Sequence, residues 1–159
     1  MELQLGQILA FVGAALAVIL SGIGSSKGVG LAGQTAAGVS TENPEVSGKL
    51  LVLQLLPATQ GIYGFLIGVM ILINTGVLGG TMADVSVLQG IKFVVSALPV
   101  GVIGWYSAIK QAEVAASGML LTGQRPDMSG RAITMTVMVE TYAVFALLLS
   151  FLMVNSVMG

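Results

Sequence analysis

The sequence contains no cysteine and no histidine, a single tryptophan, and only 8% charged residues. Without cysteine there is no disulfide framework, thiol nucleophile or thiolate ligand. Without histidine, imidazole catalysis and the usual zinc sites are excluded as well. Any ion site must be built from oxygens, which suits hard cations or protons. Soluble domains carry about 25% charged residues, so this chain has almost no soluble portion. A net charge of −1 provides no electrostatic footprint for nucleic acid. No nucleophile–base pair, metal-ligand cluster or nucleotide motif supports an enzyme.

What the chain has is apolar length: 55% hydrophobic residues and a mean hydropathy of +0.98. Apolar runs predict helices over Leu5–Val39, Leu50–Thr75, Val87–Leu121 and Arg131–Ser156, because open strands cannot satisfy their backbone in lipid. The predicted fold class is an all-α membrane protein of four transmembrane helices. Ser40–Lys49 and Thr122–Gly130 read as polar turns, and Gly76–Ser86 as a Gly-rich loop. Met1–Ser26 has the apolar core of a signal peptide. However, Glu2 stands where a basic segment belongs, and the repeat described next requires this stretch as a helix.

The chain reads as a duplicated hairpin, 5–75 and 87–156, within a single membrane domain of 1–159. Asn43-Pro44-Glu45-Val46-Ser47-Gly48-Lys49 is echoed by Arg125-Pro126-Asp127-Met128-Ser129-Gly130-Arg131, and Gly28–Gly33 by Glu113–Gly118. Thr59-Gln60-Gly61 falls opposite Val139-Glu140-Thr141. Both halves run in the same direction, unlike the inverted repeats of many transporters. Lys49, Arg125 and Arg131 place the 40–49 and 122–130 turns in the cytoplasm and both termini outside. Lys27 and Lys110 can snorkel toward that interface.

Small residues in the first helix recur at four-residue spacing, as in Gly24/Gly28 and Gly22/Ser26/Gly30, with Ala108/Ala112/Ala116 in the third. Such rows let helices approach closely. The rival reading of GIGSSKGVG as a phosphate loop fails for want of a preceding strand and a following Gly-Lys-Ser/Thr. The methionines and phenylalanines read as packing or lipid-facing residues.

One acid stands out. Glu140 lies near the middle of the apolar stretch Gly130–Ser156, where an ionised side chain is costly and by default functional. Glu140 is nine residues past Arg131 and Gln60 eleven past Lys49. At 1.5 Å per residue both lie roughly 14–17 Å deep, in mid-bilayer. Gln111 reaches a similar level. Thr59 and Tyr63 share the Gln60 face of the second helix, and Pro57 frees a backbone carbonyl there. The Thr59 hydroxyl, the Gln60 and Gln111 amide oxygens, the Glu140 carboxylate and a backbone carbonyl would surround a dehydrated Na+ and cancel its charge. Each polar residue alone could equally serve as helix glue worth ~0.6–2 kcal/mol; their shared depth with the central acid favours a site. Lys110 and Glu113, at i and i+3, read as a mutual ion pair rather than as ligands.

Leu-Pro-Ala-Thr-Gln-Gly-Ile-Tyr-Gly (56–64), Gln111 and Met-Val-Glu-Thr-Tyr-Ala (138–143) resemble the proteolipid (K, or c-type) subunits of V-type ATPases, most closely those of bacterial sodium pumps. The resemblance covers almost the whole chain. It implies a homo-oligomeric rotor ring in the cell membrane, a stator membrane subunit of the a or I type, and a central-stalk subunit at the cytoplasmic turns. It implies ATP hydrolysis in a separate peripheral sector and no cofactor beyond the transported ion. It also implies sodium ligands at the Leu56 carbonyl, Thr59, Gln60, Gln111 and Glu140, with the Tyr63 hydroxyl bonding the carboxylate. Ala58 is Gly in some relatives, without consequence for ligation. One carboxylate per four helices means one ion per subunit, which suits ATP-driven pumping. The nearest alternative keeps the rotor and makes H+ the coupling ion. A small hairpin-type channel or transporter would predict more lumen-facing polar residues than this chain has.

Overall fold

The structure, a computed structural model, describes residues 4–80 and 82–157. Thr81 in the Gly76–Ser86 loop, Met1–Leu3 of the signal-like segment, and Met158 and Gly159 lie outside the described residues. Helices α1 (Leu5–Glu42), α2 (Pro44–Asn74), α3 (Val87–Gln124) and α4 (Pro126–Asn155) are each long and apolar enough to cross a membrane. The chain is a multi-pass membrane protein, with no strand among the described residues.

The predicted spans are all present, but the polar turns are corrected. Helix runs through most of Ser40–Lys49 and Thr122–Gly130. The reversal is confined to Asn43 (φ −137°, ψ 82°) and Arg125 (φ −135°, ψ 83°). Each precedes a proline, which bars its predecessor from the α region and opens the next helix at a position where a missing N–H costs nothing. The two corners thus share one backbone conformation, as the repeat requires. Asn43 Nδ2 donates to the Gly123 carbonyl at 3.1 Å. Lys49 Nζ donates to the Pro126 carbonyl at 2.9 Å. At the other end Gly76 and Gly80 take left-handed φ values of 72° and 78°, which glycine adopts without strain. Ser86 and Gln89 then form a capping box that starts α3.

α1 packs on α2 and α3, and α4 packs on α3 and α2. Lipid offers no hydrophobic drive for helices to associate, so close backbone approach carries the packing. A Cβ on Gly13 would stand 2.9 Å from the Phe93 carbonyl oxygen, and one on Gly28 2.8 Å from that of Ala108. Of the two predicted rows on α1, Gly24/Gly28 packs against α3. The Gly22/Ser26/Gly30 row does not: a Cβ at Gly22 or Gly30 would meet nothing within 4 Å. On α3, Ala108 and Ala112 are buried, but Ala115 replaces the half-exposed Ala116, because 3.6 residues per turn drifts off a strict four-residue row.

The interior is layered. One apolar cluster, with Leu50, Leu53, Ala115 and Met119, sits toward the corners. Another, with Ile67, Ile71, Phe93 and Val154, sits toward the Gly-rich loop. Polar side chains fill the layer between them.

Candidate ion site

Two prolines interrupt the α-helical ladder, Pro57 at this layer and Pro99 at the apolar cluster toward the Gly-rich loop. Pro57 turns Leu56–Ala58 of α2 into 3-10 helix, the consequence of a missing N–H and a ring that crowds the preceding turn. Thr59 N–H then bonds the Leu56 carbonyl, and Thr59 Oγ1 lies 3.0 Å from the same oxygen. Pro99 opens a π-helical segment, Pro99–Ile103, in α3. The Val100 N–H there is taken by Ser150 Oγ of α4 at 3.1 Å. This second break carries the same signal as Pro57, a proline inside an apolar run, and lies within the continuous helix Val87–Gln124.

The residues picked out by depth come together. Gln60 and Gln111 are both fully buried, and Gln60 Nε2 donates to Gln111 Oε1 at 2.6 Å. Gln111 Nε2 donates to the Thr136 carbonyl at 3.2 Å and faces Glu140 Oε2 at 3.4 Å. Tyr63 Oη donates to Glu140 Oε1 at 2.5 Å. Thr59 Oγ1 lies 3.3 Å from Gln60 Oε1. Leu56, Thr59, Gln60, Tyr63, Gln111 and Glu140 therefore form one connected chain across α2, α3 and α4. The orientation of Gln111 differs from the sequence expectation: its amide nitrogen, not its oxygen, faces the carboxylate, because its oxygen is engaged by Gln60.

Two serines escaped the sequence reading. Ser107 Oγ donates to the Val139 carbonyl at 3.2 Å, beside Glu140. Ser25 Oγ accepts the Gly61 N–H at 2.7 Å, beside Gln60. Both sit among small residues that read as packing. Lys110 and Glu113 pair as expected, Nζ to Oε2 at 2.9 Å, outside this cluster. The Lys27 and Lys110 ammonium groups lie 6.0 Å and 5.8 Å from the Trp105 and Tyr106 rings.

A lone carboxylate among neutral oxygens and amides can balance one positive charge. Among the described residues no three His, Cys, Asp or Glu side chains gather as a metal-ligand group. The family model of the ATP synthase C-subunit matches the chain twice, over residues 12–71 and 94–153. The chain belongs to the ATP synthase C-subunit family. The two matches fall on the two halves of the repeat, with Gln60 in the first and Gln111 and Glu140 in the second. A V-type sodium ATPase subunit K from Enterococcus hirae is 44% identical over 149 residues, 94% of this chain and 92% of that protein. An A-type ATP synthase subunit K from Methanocaldococcus jannaschii is 36% identical over 150 residues, 94% of this chain, which spans 63% of that relative's length.

Proposed function

We propose that this family member is the membrane rotor (proteolipid) subunit of a V-type ATPase, and that each copy carries one Na+ at Glu140. The observation that carries this reading is that Tyr63 and Gln111 both reach the single central carboxylate, with Gln60 bonded to Gln111, beside the Leu56 carbonyl of the 3-10 turn at Pro57. The Leu56 carbonyl, Thr59 Oγ1, Gln60 Oε1 and Glu140 supply oxygens for the ion. Gln111 joins them by turning its amide so that Oε1 replaces Nε2. The loaded site is neutral and passes through lipid; the ionised carboxylate alone is held back by its desolvation cost. Identical copies form a ring. Ions enter and leave through half-channels of an a- or I-type stator subunit, whose arginine displaces the ion from Glu140. The two corners lie in the cytoplasm against a central-stalk subunit, and both termini lie outside. ATP hydrolysis belongs to a separate peripheral sector. The names of the two relatives, a sodium ATPase subunit and an ATP synthase subunit, support the rotor role, and the former supports the ion.

The H+ reading draws on a specific observation: Glu140 is already partnered by protein donors, Tyr63 and Gln111, and a proton needs little more. The two readings separate in one experiment. A carbodiimide attacks the protonated, unliganded acid. In the isolated ring, Na+ at constant pH and ionic strength is expected to protect Glu140 from labelling. Labelling that follows pH and ignores Na+ would overturn the sodium reading and leave a proton rotor.

A further inference from the structure

The two serines beside the site are equivalent under the repeat. Ser25 lies eighteen residues before the Asn43 corner, and Ser107 eighteen residues before Arg125. Both are buried, at 7% and 4% exposure. Each reaches from the first helix of its hairpin to the backbone of the second. Ser25 Oγ accepts from Gly61 N–H at 2.7 Å, and Ser107 Oγ donates to the Val139 carbonyl at 3.2 Å.

Counted from the corners, these contacts fall on one structural step. Gly61 is eighteen residues past Asn43, and Val139 fourteen past Arg125. Residues 57 and 61 of α2 thus correspond to residues 139 and 143 of α4, which corrects by two residues the sequence expectation that set Gln60 opposite Glu140: Glu140 answers to Ala58. Each pair is separated by the i, i+4 spacing of one helical hydrogen bond. One serine grips that step at its donor end, the other at its acceptor end. In α2 the step begins at Pro57 and encloses Thr59 and Gln60. In α4 it encloses Glu140.

The surrounding packing supports the grip on α2. A Cβ on Gly61 would stand 3.1 Å from Ser25 Oγ, and one on Gly28 would stand 2.9 Å from Pro57 Cβ. Ser25 and Gly28, one turn apart on α1, therefore seat both ends of the proline turn. On α3, Ser107 and Gln111 are likewise one turn apart, and they bond the Val139 and Thr136 carbonyls of α4.

We propose that Ser25 and Ser107 are positioning residues of the ion site: Ser25 holds the turn bearing Thr59 and Gln60, and Ser107 holds the turn bearing Glu140. This rests on Glu140 as the ion carrier. Neither serine is a ligand. Together they fix the α2 and α4 backbones that set the spacing between carboxylate and neutral oxygens.

The test is protection of Glu140 from carbodiimide by Na+ in rings carrying Ser25→Ala, Ser107→Ala or Ser150→Ala. Ser150 is the control, because its buried hydroxyl makes the same kind of bond, to Val100 N–H at 3.1 Å, away from Glu140. Ser25→Ala and Ser107→Ala are each expected to raise the half-protecting Na+ concentration about tenfold, the scale of one lost hydrogen bond. Ser150→Ala is expected to lower the thermal stability of the ring and leave that concentration unchanged. Equal shifts in all the variants, or none at Ser25 and Ser107, would overturn the proposal. If the alanine variants do not assemble, Ser→Cys variants, which keep the volume and weaken the bond, decide by the same readout. If Na+ fails to protect the native ring, the sodium reading falls by itself. The serines are then judged by the pH of half-maximal labelling, and an unmoved midpoint at both overturns their role.

Discussion

The Tyr63 hydroxyl of α2 donates to Glu140 of α4 at 2.5 Å, joining the proline-broken helix of the first hairpin to the carboxylate of the second. A hydrogen bond to a charged group contributes about 1.5–3 kcal/mol. Tyr63→Phe removes the donor and keeps the ring. The half-protecting Na+ concentration should rise roughly ten- to hundredfold, with the rotor ring intact on a native gel. An unchanged concentration would remove Tyr63 from the site.

Glu140→Gln keeps the size of the side chain and discards its charge. Subunits should still insert and assemble, since α4 also packs through Ala132, Ala143 and Val154, all nearly inaccessible. ATP-coupled Na+ uptake into reconstituted vesicles should vanish. Uptake retained by this variant would be incompatible with the rotor reading.

Pro57→Ala restores an N–H within α2 and removes the ring that enforces the 3-10 turn. The restored N–H can bond the Leu53 carbonyl one turn earlier, and the Leu56 carbonyl turns from its 3-10 bond with the Thr59 N–H into the helical ladder, where the Gln60 N–H occupies it. Na+ affinity should fall by about tenfold, as for the loss of one oxygen ligand with a net hydrogen-bond-sized contribution. Radioactive Na+ binding to purified rings measures it, and affinity equal to native would show that the kink plays no part in ligation.

Na+ and H+ compete for the same carboxylate oxygens, and binding of a metal ion requires the deprotonated form. Lowering the pH should therefore raise the half-protecting Na+ concentration, approaching roughly tenfold per pH unit where the acid form dominates. A pH-independent concentration would place the ion elsewhere.

Gly28→Ala adds a methyl group 2.8 Å from the Ala108 carbonyl oxygen and 2.9 Å from Pro57 Cβ. Overpacking of this kind costs about 1–3 kcal/mol. The variant should unfold at lower temperature in detergent, whereas Gly30→Ala, facing open space within the chain, should not through any contact in this subunit.

Most of the polar layer was legible because depth can be counted. Gln111, Glu140 and Gln60 stand fourteen, fifteen and seventeen residues from the repeated Asn-Pro and Arg-Pro corners, within one helical turn of a common depth, and helical spacing puts Thr59 and Tyr63 beside Gln60. The helix ends were less legible. Polar residues such as Ser40, Thr41 and Glu42 suggested a turn, yet a helix leaving the apolar layer can continue in polar surroundings until a proline stops it. Ser25 and Ser107 were hidden for a different reason: a hydroxyl in a stripe of glycine and alanine has the same spacing as a packing residue, and only coordinates show where it points. The Gln111 amide orientation follows from Gln60 and Thr136 acting together, a three-body constraint with no local signature.

The corners, stitched by Asn43 to Gly123 and Lys49 to Pro126, make the base of both hairpins a single handle. The routes from that handle to the polar layer differ in stiffness. α2 passes through the 3-10 turn at Leu56–Ala58 before reaching Gln60, whereas the α-helical part of α4 runs unbroken from Ser129 to Asn155. A load on the corners of the proposed rotor reaches Glu140 and Gln111 through uninterrupted α-helix, and Gln60 only through the 3-10 turn. On the rotor reading, torque moves Thr59 and Gln60 relative to Glu140 and Gln111, so the spacing of the proposed cage is a mechanical variable.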